Sequence, residues 1–200
     1  MEDKEIKKII AISSSPSKGR NSDTMLDHFV SGVENYGNDL IEIEKFYLDD
    51  IYFDHYDYGN RLGPTEKESD FRELALKMND AEGIIIATPT YNFSVPASLK
   101  NLVDRIRFIA LDLEKENILG QPVGNFKKHR FFFLVTGGTP KYAQKILFFL
   151  YPAFWLRIVF MYYGSYKMNS YYSGDTKAFE NPKILKKCFK LGEKFSKKIL

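Results

Sequence analysis

Residues 13–22 form a polar loop of the kind that can bind a phosphate group. The loop, Ser13-Ser14-Ser15-Pro16-Ser17-Lys18-Gly19-Arg20-Asn21-Ser22, follows an apolar run and precedes a helical pattern. Phosphate binding at the start of a helix needs free backbone N–H groups, small hydroxyl donors and room for close approach. The candidate ligands are Ser13, Ser15, Ser17, Arg20, Asn21 and Ser22. A solvated turn with a helix cap at Asn21 or Ser22 explains the same residues as well.

Two common phosphate-binding motifs do not fit this loop. A P-loop ends in Gly-Lys-Ser/Thr, whereas Lys18 here precedes Gly19. The dinucleotide fingerprint needs three glycines, and the loop has one.

A second loop has the composition needed along the edge of a flat ring. It follows Gly83–Thr88, an apolar run short enough to be a strand buried on both faces. Its two prolines make it rigid, and its backbone and aromatic side chains can supply polar contacts and an apolar wall. Packing of the aromatic rings against the top of the sheet is the structural alternative. The candidate residues are Pro89, Thr90, Tyr91, Asn92 and Phe93.

A third loop, Thr136-Gly137-Gly138, follows the apolar run Phe131–Val135. Paired glycines allow the backbone to approach a flat ligand closely. Thr139 is a suitable helix cap and Pro140 a suitable first helical residue, so helix N–H dipoles would point toward the loop. Such Gly-Gly turns are common, and on its own this one is more typical of structure than of function.

Strands and helices alternate along the whole chain, which predicts an α/β fold with a parallel sheet and helices on both faces. Because parallel strands end at the same sheet edge, the three loops are expected to converge there. The predicted strands are Lys7–Ser13, Leu40–Phe46, Gly83–Thr88, Arg130–Val135 and Ile158–Tyr163. The predicted helices are Asp23–Tyr36, Glu66–Asn79, Pro96–Phe108, Pro140–Trp155 and Pro182–Leu200.

The loop residues also carry a family resemblance. The segment Pro89–Arg105 contains Pro-Thr-Tyr-Asn, then Pro-Ala-Ser-Leu-Lys-Asn, then Asp-Arg, and residues 14–22 contain Ser-Ser-Pro-Ser and Asn-Ser. In these patterns the chain resembles the NADPH-dependent FMN reductase family of flavodoxin-like proteins. Two positions depart from the family pattern, since Ser14 replaces a glycine and Ser17 an arginine. We expect Arg20 to supply the missing charge.

The resemblance implies a single flavodoxin-like domain over residues 1–200, with a five-stranded parallel sheet in the order 2-1-3-4-5. It implies FMN as cofactor, held by the first loop at its phosphate and by the second and third at its ring. It further implies NAD(P)H as co-substrate and a ping-pong transfer of hydride to a small acceptor such as a flavin, a quinone, or an azo or nitro compound. No protein acid or base is needed for this transfer, so no catalytic residue is assigned.

The residues leave two other functions possible. An electron carrier of the flavodoxin type is usually strongly acidic, and the net charge of +3 argues against it. A flavodoxin-like binding module without flavin is the second alternative, because Ser14 and Ser17 depart from the family pattern.

Composition and charge exclude several other classes. The lysines near both termini are typical of a solvated helix face, and no nucleic-acid-binding motif accompanies them. The single cysteine, Cys188, is expected to be buried and rules out a disulfide within the chain and an iron–sulfur cluster. Asp54-His55-Tyr56-Asp57 does not have metal-ligand spacing, so we predict no metal. The charged start predicts a cytoplasmic protein.

The apolar segment 146–163 approaches the length of a membrane span. Arg157 in its middle and Pro152 argue for a buried helix followed by a strand instead. The aromatic region Phe148–Tyr163 and the helix from Pro96 offer apolar surface for contact with a second subunit, and the resemblance implies a homodimer or homotetramer.

Overall fold

The computed structural model describes residues 5–140, 142–143 and 151–200. The main sheet has five parallel strands in the order β2-β1-β3-β6-β7. If the strands of this sheet alone are numbered along the chain, the order is 2-1-3-4-5, which confirms the prediction of a flavodoxin-like fold. The strands are β1 (Lys7–Ser13), β2 (Ile41–Tyr47), β3 (Gly83–Pro89), β6 (Arg130–Thr136) and β7 (Lys167–Ser173), and a separate antiparallel pair is formed by β4 (Leu111–Glu116) and β5 (Pro122–Gly124).

Helices cover both faces of the sheet, because β1, β3 and β6 are apolar on both sides. Ile10 and Ile12 point to one core cluster and Ile9 and Ala11 to the other. Helices α1 and α6 cover the second cluster, and the other helices cover the first. The helices are α1 (Asn21–Gly37), α2 (Ser69–Asp80), α3 (Ala97–Arg105), α4 (Arg107–Ala110), α5 (Pro152–Tyr162) and α6 (Pro182–Ser196).

Helices α1 and α6 approach each other very closely, and glycines make this possible. A Cβ atom on Gly32 would lie 2.0 Å from the Phe189 carbonyl oxygen, and one on Gly192 would lie 2.0 Å from the Phe29 carbonyl oxygen. The C-terminal helix is therefore packed directly against the helix that starts at the polar loop 13–22. Cys188 on α6 is buried as predicted, and burial raises the pKa of its thiol to about 12.

The strand predicted at Ile158–Tyr163 is wrong, because these residues belong to α5 apart from Tyr163, its C-cap. Pro152 begins that helix, and Pro152, Leu156 and Phe160 are buried at four-residue spacing. The fifth strand is β7, a polar sheet-edge strand. The predicted helix 140–155 includes residues 141 and 144–150, which lie outside the described residues.

The helix predicted at Pro96–Phe108 is divided in two at Ile106, which lies between α3 and α4. Its apolar side is buried as expected, with Leu99 and Leu102 completely enclosed. Among the described helices, none is long and apolar enough to cross a membrane.

Candidate functional site

The loops at the carboxyl ends of β1, β3 and β6 converge on one cleft of about 290 Å³. Its lining contains most of the residues predicted from the sequence, together with two that were not. The predicted residues in the lining are Ser15, Ser17, Arg20, Asn21, Ser22, Pro89, Thr90, Tyr91, Thr136, Gly137 and Gly138. Ser13, Asn92 and Phe93 are not in the lining, and Thr176 and Phe179 are the two additional residues.

The serines of the first loop have different roles. The Ser14 hydroxyl is buried and donates to the Ala87 carbonyl on β3 at 3.1 Å, so it holds the loop to the sheet. The Ser15 hydroxyl accepts from the Ser17 backbone N–H at 3.2 Å and lies 3.3 Å from the Ser17 carbonyl, which shapes the turn. The loop then leads into the first turn of α1, where backbone N–H groups are free of intrahelical partners.

A buried carboxylate supports this loop from behind. Asp23, in the first turn of α1, accepts a hydrogen bond from the Gly19 backbone N–H at 2.6 Å. Gly19 has φ +70°, a conformation that glycine adopts without strain. The Lys45 ammonium lies 2.8 Å from the Asp23 carboxylate and also pairs with Asp27. Burial alone lowers the pKa of Lys45, but its bonds to Asp23 and Asp27 raise it overall, so Asp23 faces a fixed positive charge.

The two cations of the first loop are placed differently. The Lys18 ammonium is engaged by the Asp50 carboxylate at 2.6 Å, away from the cleft lining. Arg20 lines the cleft and its guanidinium lies over the Phe179 ring, 5.4 Å from the ring centroid. Arg20 is therefore the cation of this loop that is available to an anion in the cleft.

A fourth loop, between β7 and α6, completes the cleft, and sequence reasoning missed it. The Asn21 side chain donates to the Thr176 carbonyl at 2.9 Å and accepts from the Phe179 backbone N–H at 3.1 Å. Both polar atoms of the Asn21 amide are thus used to join the first loop to the fourth. The loop was missed because the fifth strand was predicted at Ile158–Tyr163, whereas it lies at Lys167–Ser173. The polar run Gly174-Asp175-Thr176 before a helix was the signal that could have shown it.

The second loop contains a tight two-residue turn. Tyr91 and Ser94 exchange two backbone hydrogen bonds of 2.9 Å, and the residues between them, Asn92 and Phe93, have φ +49° and +64°. Positive φ at both central residues is typical of a type I′ turn, where glycine is the favoured second residue. A side chain such as phenylalanine costs about 1–2 kcal/mol in this conformation.

Gly137 in the third loop is required by packing against its neighbours. A Cβ atom there would lie 2.9 Å from the Tyr172 hydroxyl and 3.1 Å from the Thr90 hydroxyl. Tyr172 in turn donates to the Thr139 carbonyl at 2.9 Å. The third loop is therefore held tightly between β7 and the second loop.

The polar groups of the cleft match an anionic ligand with a polar ring. The buried Thr90 hydroxyl, in the lining, has no hydrogen-bond partner within the described ranges. The buried Ser13 hydroxyl also has no partner there, although it is outside the lining. A buried polar group without a partner costs about 1–3 kcal/mol, which a bound ligand can offset. No group of three or more His, Cys, Asp or Glu side chains that could hold a metal occurs in the described part of the chain.

Curated flavin-dependent proteins are similar to about half of this chain. An iron-sulfur flavoprotein of Archaeoglobus fulgidus is 32% identical over 102 residues, which make up 50% of this chain and 49% of that protein. An FMN-dependent NADH:quinone oxidoreductase of Hahella chejuensis is 34% identical over 91 residues, or 41% of this chain and 44% of that protein. The chain thus spans about half the length of the curated relatives it matches.

A solved structure extends the likeness to nearly the whole chain. An FMN-dependent NADH-azoreductase of Bacillus anthracis, crystallised in complex with FMN, has a TM-score of 0.74 and 20% identity, covering 97% of this chain and 99% of that chain. At this identity the likeness establishes the fold. A family model described as NADPH-dependent FMN reductase matches residues 7–173. The chain therefore belongs to the NADPH-dependent FMN reductase family.

Proposed function

We propose that the protein binds FMN in the cleft and is an NAD(P)H-dependent oxidoreductase for a small acceptor, such as a quinone, a flavin, or an azo or nitro compound. The proposal rests on one observation. Four loops bring hydroxyl groups, the start of α1, one guanidinium, an aromatic ring and the Thr90 hydroxyl, which has no hydrogen-bond partner among the described residues, into the lining of one cleft. This set of groups suits the phosphate and the ring of FMN.

The first loop provides the phosphate end of the site. The N–H groups at the start of α1 attract an anion, and Ser17, Ser22 and Arg20 add donors around them. Lys45 neutralises Asp23, which would otherwise repel the phosphate from behind the loop. Asn21 acts through the fourth loop, since it fixes Thr176 and Phe179 beside Arg20.

The second and third loops provide the ring end. Thr90 presents its buried hydroxyl and Tyr91 its half-exposed ring, while Gly137 and Gly138 bring backbone close to the cleft. FMN, when bound, supplies the hydride chemistry, from nicotinamide to flavin and from flavin to acceptor. The protein's part is to hold the ring in place and to admit one planar partner at a time, which gives ping-pong kinetics.

We further propose that the chain forms a single domain and acts in the cytoplasm as a homodimer or homotetramer. Exposed apolar side chains on α5 and after it, namely Ile158, Met161 and Tyr166, support contact with a second copy.

Absorption spectroscopy of the purified protein tests the function. FMN is added, the excess is removed, and NADPH or NADH is then added without oxygen. Retained visible flavin bands that are bleached by either nucleotide are the expected result, followed by recovery of the bands on addition of a quinone. The nucleotide that bleaches the flavin bands faster identifies the class of the physiological electron donor.

Two other results would point to the alternatives. Retained flavin that is bleached by dithionite and by neither nucleotide indicates an electron carrier. Protein that retains no flavin, and whose thermal midpoint does not rise with added FMN, contradicts the proposal and indicates a binding module.

A further inference from the structure

A second cavity lies between α5 and the sheet-edge strand β7, and the proposed function does not use it. Its volume is about 520 Å³, against about 290 Å³ for the cleft. This volume is in the range of about 300–1,000 Å³ that is typical of sites for small ligands. Within the described ranges, the cavity and the cleft share no lining residue.

The start of α5 brings polar groups to this cavity. Tyr151 is 2% exposed, and its hydroxyl has no hydrogen-bond partner within the described ranges. Arg157 also lines the cavity, one turn after Ala153, and its guanidinium forms no hydrogen bond or ion pair with another described residue. Tyr151 is the N-cap of α5 and makes no side-chain cap bond. A guanidinium, a hydroxyl and the start of a helix together attract an anion.

The later part of α5 makes the rest of the cavity apolar. Ile158 and Met161 are in the lining and are 46% and 47% exposed. Strand β7 runs back along α5, since Tyr172 near the end of β7 packs against Tyr151 with ring centroids 5.5 Å apart. Met168, near the start of β7, therefore lies toward the later part of the helix. The cavity thus has a polar end and an apolar end.

We propose that this cavity binds an amphipathic monocarboxylate. The carboxylate accepts hydrogen bonds from the Arg157 guanidinium and the Tyr151 hydroxyl, and an aliphatic tail packs against Ile158, Met161 and Met168. One negative charge suits the site, because Arg157 is the one charged residue among the described residues of its lining. The site is separate from the cleft, so the inference does not depend on FMN.

A second copy of the chain is the competing occupant. Ile158, Met161 and Tyr166 also belong to the surface proposed above for contact between copies. An apolar contact there would cover Arg157 and Tyr151 without giving their polar groups a partner, and burying such groups unpaired is costly. A carboxylate satisfies both groups. Tyr166, which is 76% exposed, stays available for contact between copies.

Isothermal titration calorimetry with octanoate tests the proposal, and 1-octanol is the uncharged match. The wild-type protein is titrated with and without FMN, and its molecular mass in solution is measured in the same samples. We expect one octanoate per chain, with an affinity that FMN does not change. We expect octanol to bind about tenfold more weakly or less, since it cannot form the charge-assisted bond to Arg157.

Three variants locate the carboxylate. Arg157→Met should weaken octanoate binding about tenfold or more and leave octanol binding unchanged. Tyr151→Phe should weaken octanoate binding about two- to tenfold. It should not lower the thermal midpoint of the ligand-free protein, because the hydroxyl loses no hydrogen bond to a described residue. Lys167→Met is the control, since it removes an exposed charge of β7 outside the lining and should change the affinity less than about twofold.

Four results would overturn the inference. They are the absence of saturable octanoate binding, displacement of octanoate by FMN, equal losses in Arg157→Met and Lys167→Met, and equal affinities for octanoate and octanol. A change of molecular mass in Arg157→Met with undiminished octanoate binding would likewise contradict it, and would assign the cavity to a second copy. Protein that binds octanoate but no FMN would refute the proposed function and leave this inference standing.

Discussion

The Arg105 guanidinium and the Glu68 carboxylate form a two-point ion pair with N–O distances of 2.7 and 2.8 Å, and both side chains are completely buried. The carboxylate also accepts from the backbone N–H groups of Asp54 and Thr65, at 2.7 and 2.6 Å. Arg105 donates in addition to the Asp54 carbonyl, as does the Asn101 amide. The pair thus fastens both ends of the segment 54–65 to α3.

Replacing Arg105 should therefore destabilise the protein strongly. Arg105→Met leaves the Glu68 carboxylate buried without its partner, and we expect a loss of about 3–5 kcal/mol in the free energy of unfolding. Lys100→Met, on the same helix, removes an exposed pair with Asp104 and should cost about 0.3–0.5 kcal/mol. Urea denaturation of both variants measures the difference. Equal losses would mean that the buried pair contributes no more than the exposed one.

The same pair makes stability dependent on pH in acid. The hydrogen bond from Arg105 lowers the pKa of Glu68 to about 2. Because the folded pKa is below that of the unfolded chain, the unfolded state binds more protons, and stability decreases as the pH falls. The contribution is complete above about pH 5 and disappears as the pH approaches 2.

Denaturation at several pH values between 6 and 2.5 checks this expectation. Glu68→Gln should be less stable at neutral pH and should show a smaller slope of unfolding free energy against pH. Parallel slopes for the wild type and Glu68→Gln would exclude Glu68 as the titrating group. His129 is a second contributor of the same sign, because burial lowers the pKa of its imidazole. The two are separable because the effect of His129 occurs at higher pH, near the pKa of an unfolded histidine.

Arg20 and Lys18 form a matched pair for testing the phosphate site. Arg20→Met should weaken FMN binding about tenfold or more, since it removes a charge-assisted bond to the phosphate. Lys18→Met should change the affinity less than about twofold, because Lys18 is already held by Asp50. Fluorescence titration with FMN measures both. Riboflavin, which lacks the phosphate, is the control, and a loss of riboflavin affinity equal to that of FMN would contradict the assignment.

Gly137 is expected to tolerate no side chain. Gly137→Ala places a Cβ atom 2.9 Å from the Tyr172 hydroxyl and should destabilise the protein by about 1–3 kcal/mol. Gly138→Ala is the control, because its Cβ would lie 3.8 Å from the nearest atom, on Thr176. Adding Tyr172→Phe to Gly137→Ala should recover part of the stability. Thermal unfolding of these three variants and the wild type decides whether the tyrosine hydroxyl is the obstacle.

The first three loops could be predicted from the sequence because each is contiguous and follows a strand with an unmistakable apolar run, as Gly83–Thr88 does. The fourth loop was missed because the fifth strand was predicted at the wrong residues. Ile158–Tyr163 is rich in β-branched and aromatic residues, so local preference indicates a strand, yet burial of Leu156 and Phe160 on one side makes it a helix. The real strand β7 begins with exposed polar residues, since it lies at the sheet edge.

The roles of individual side chains within the loops could not be predicted from the sequence either. Serines 13, 14 and 15 are chemically alike, but their hydroxyl groups differ in the fold. The first has no partner within residues 5–140, 142–143 and 151–200, the second bonds to β3, and the third shapes a turn. The ion pair between Arg105 and Glu68 joins residues that are 37 positions apart in the sequence. Only the packed structure brings such groups together.

The amide of Asn21 is joined to a segment 155 to 158 residues later in the chain. During synthesis, β1 and the start of α1 leave the ribosome long before Thr176 and Phe179 do. At the usual elongation rate of about 5–20 residues per second, this delay is on the order of ten seconds. The cleft is then incomplete throughout translation of the intervening chain. We therefore expect binding of the proposed cofactor to follow docking of the last helix.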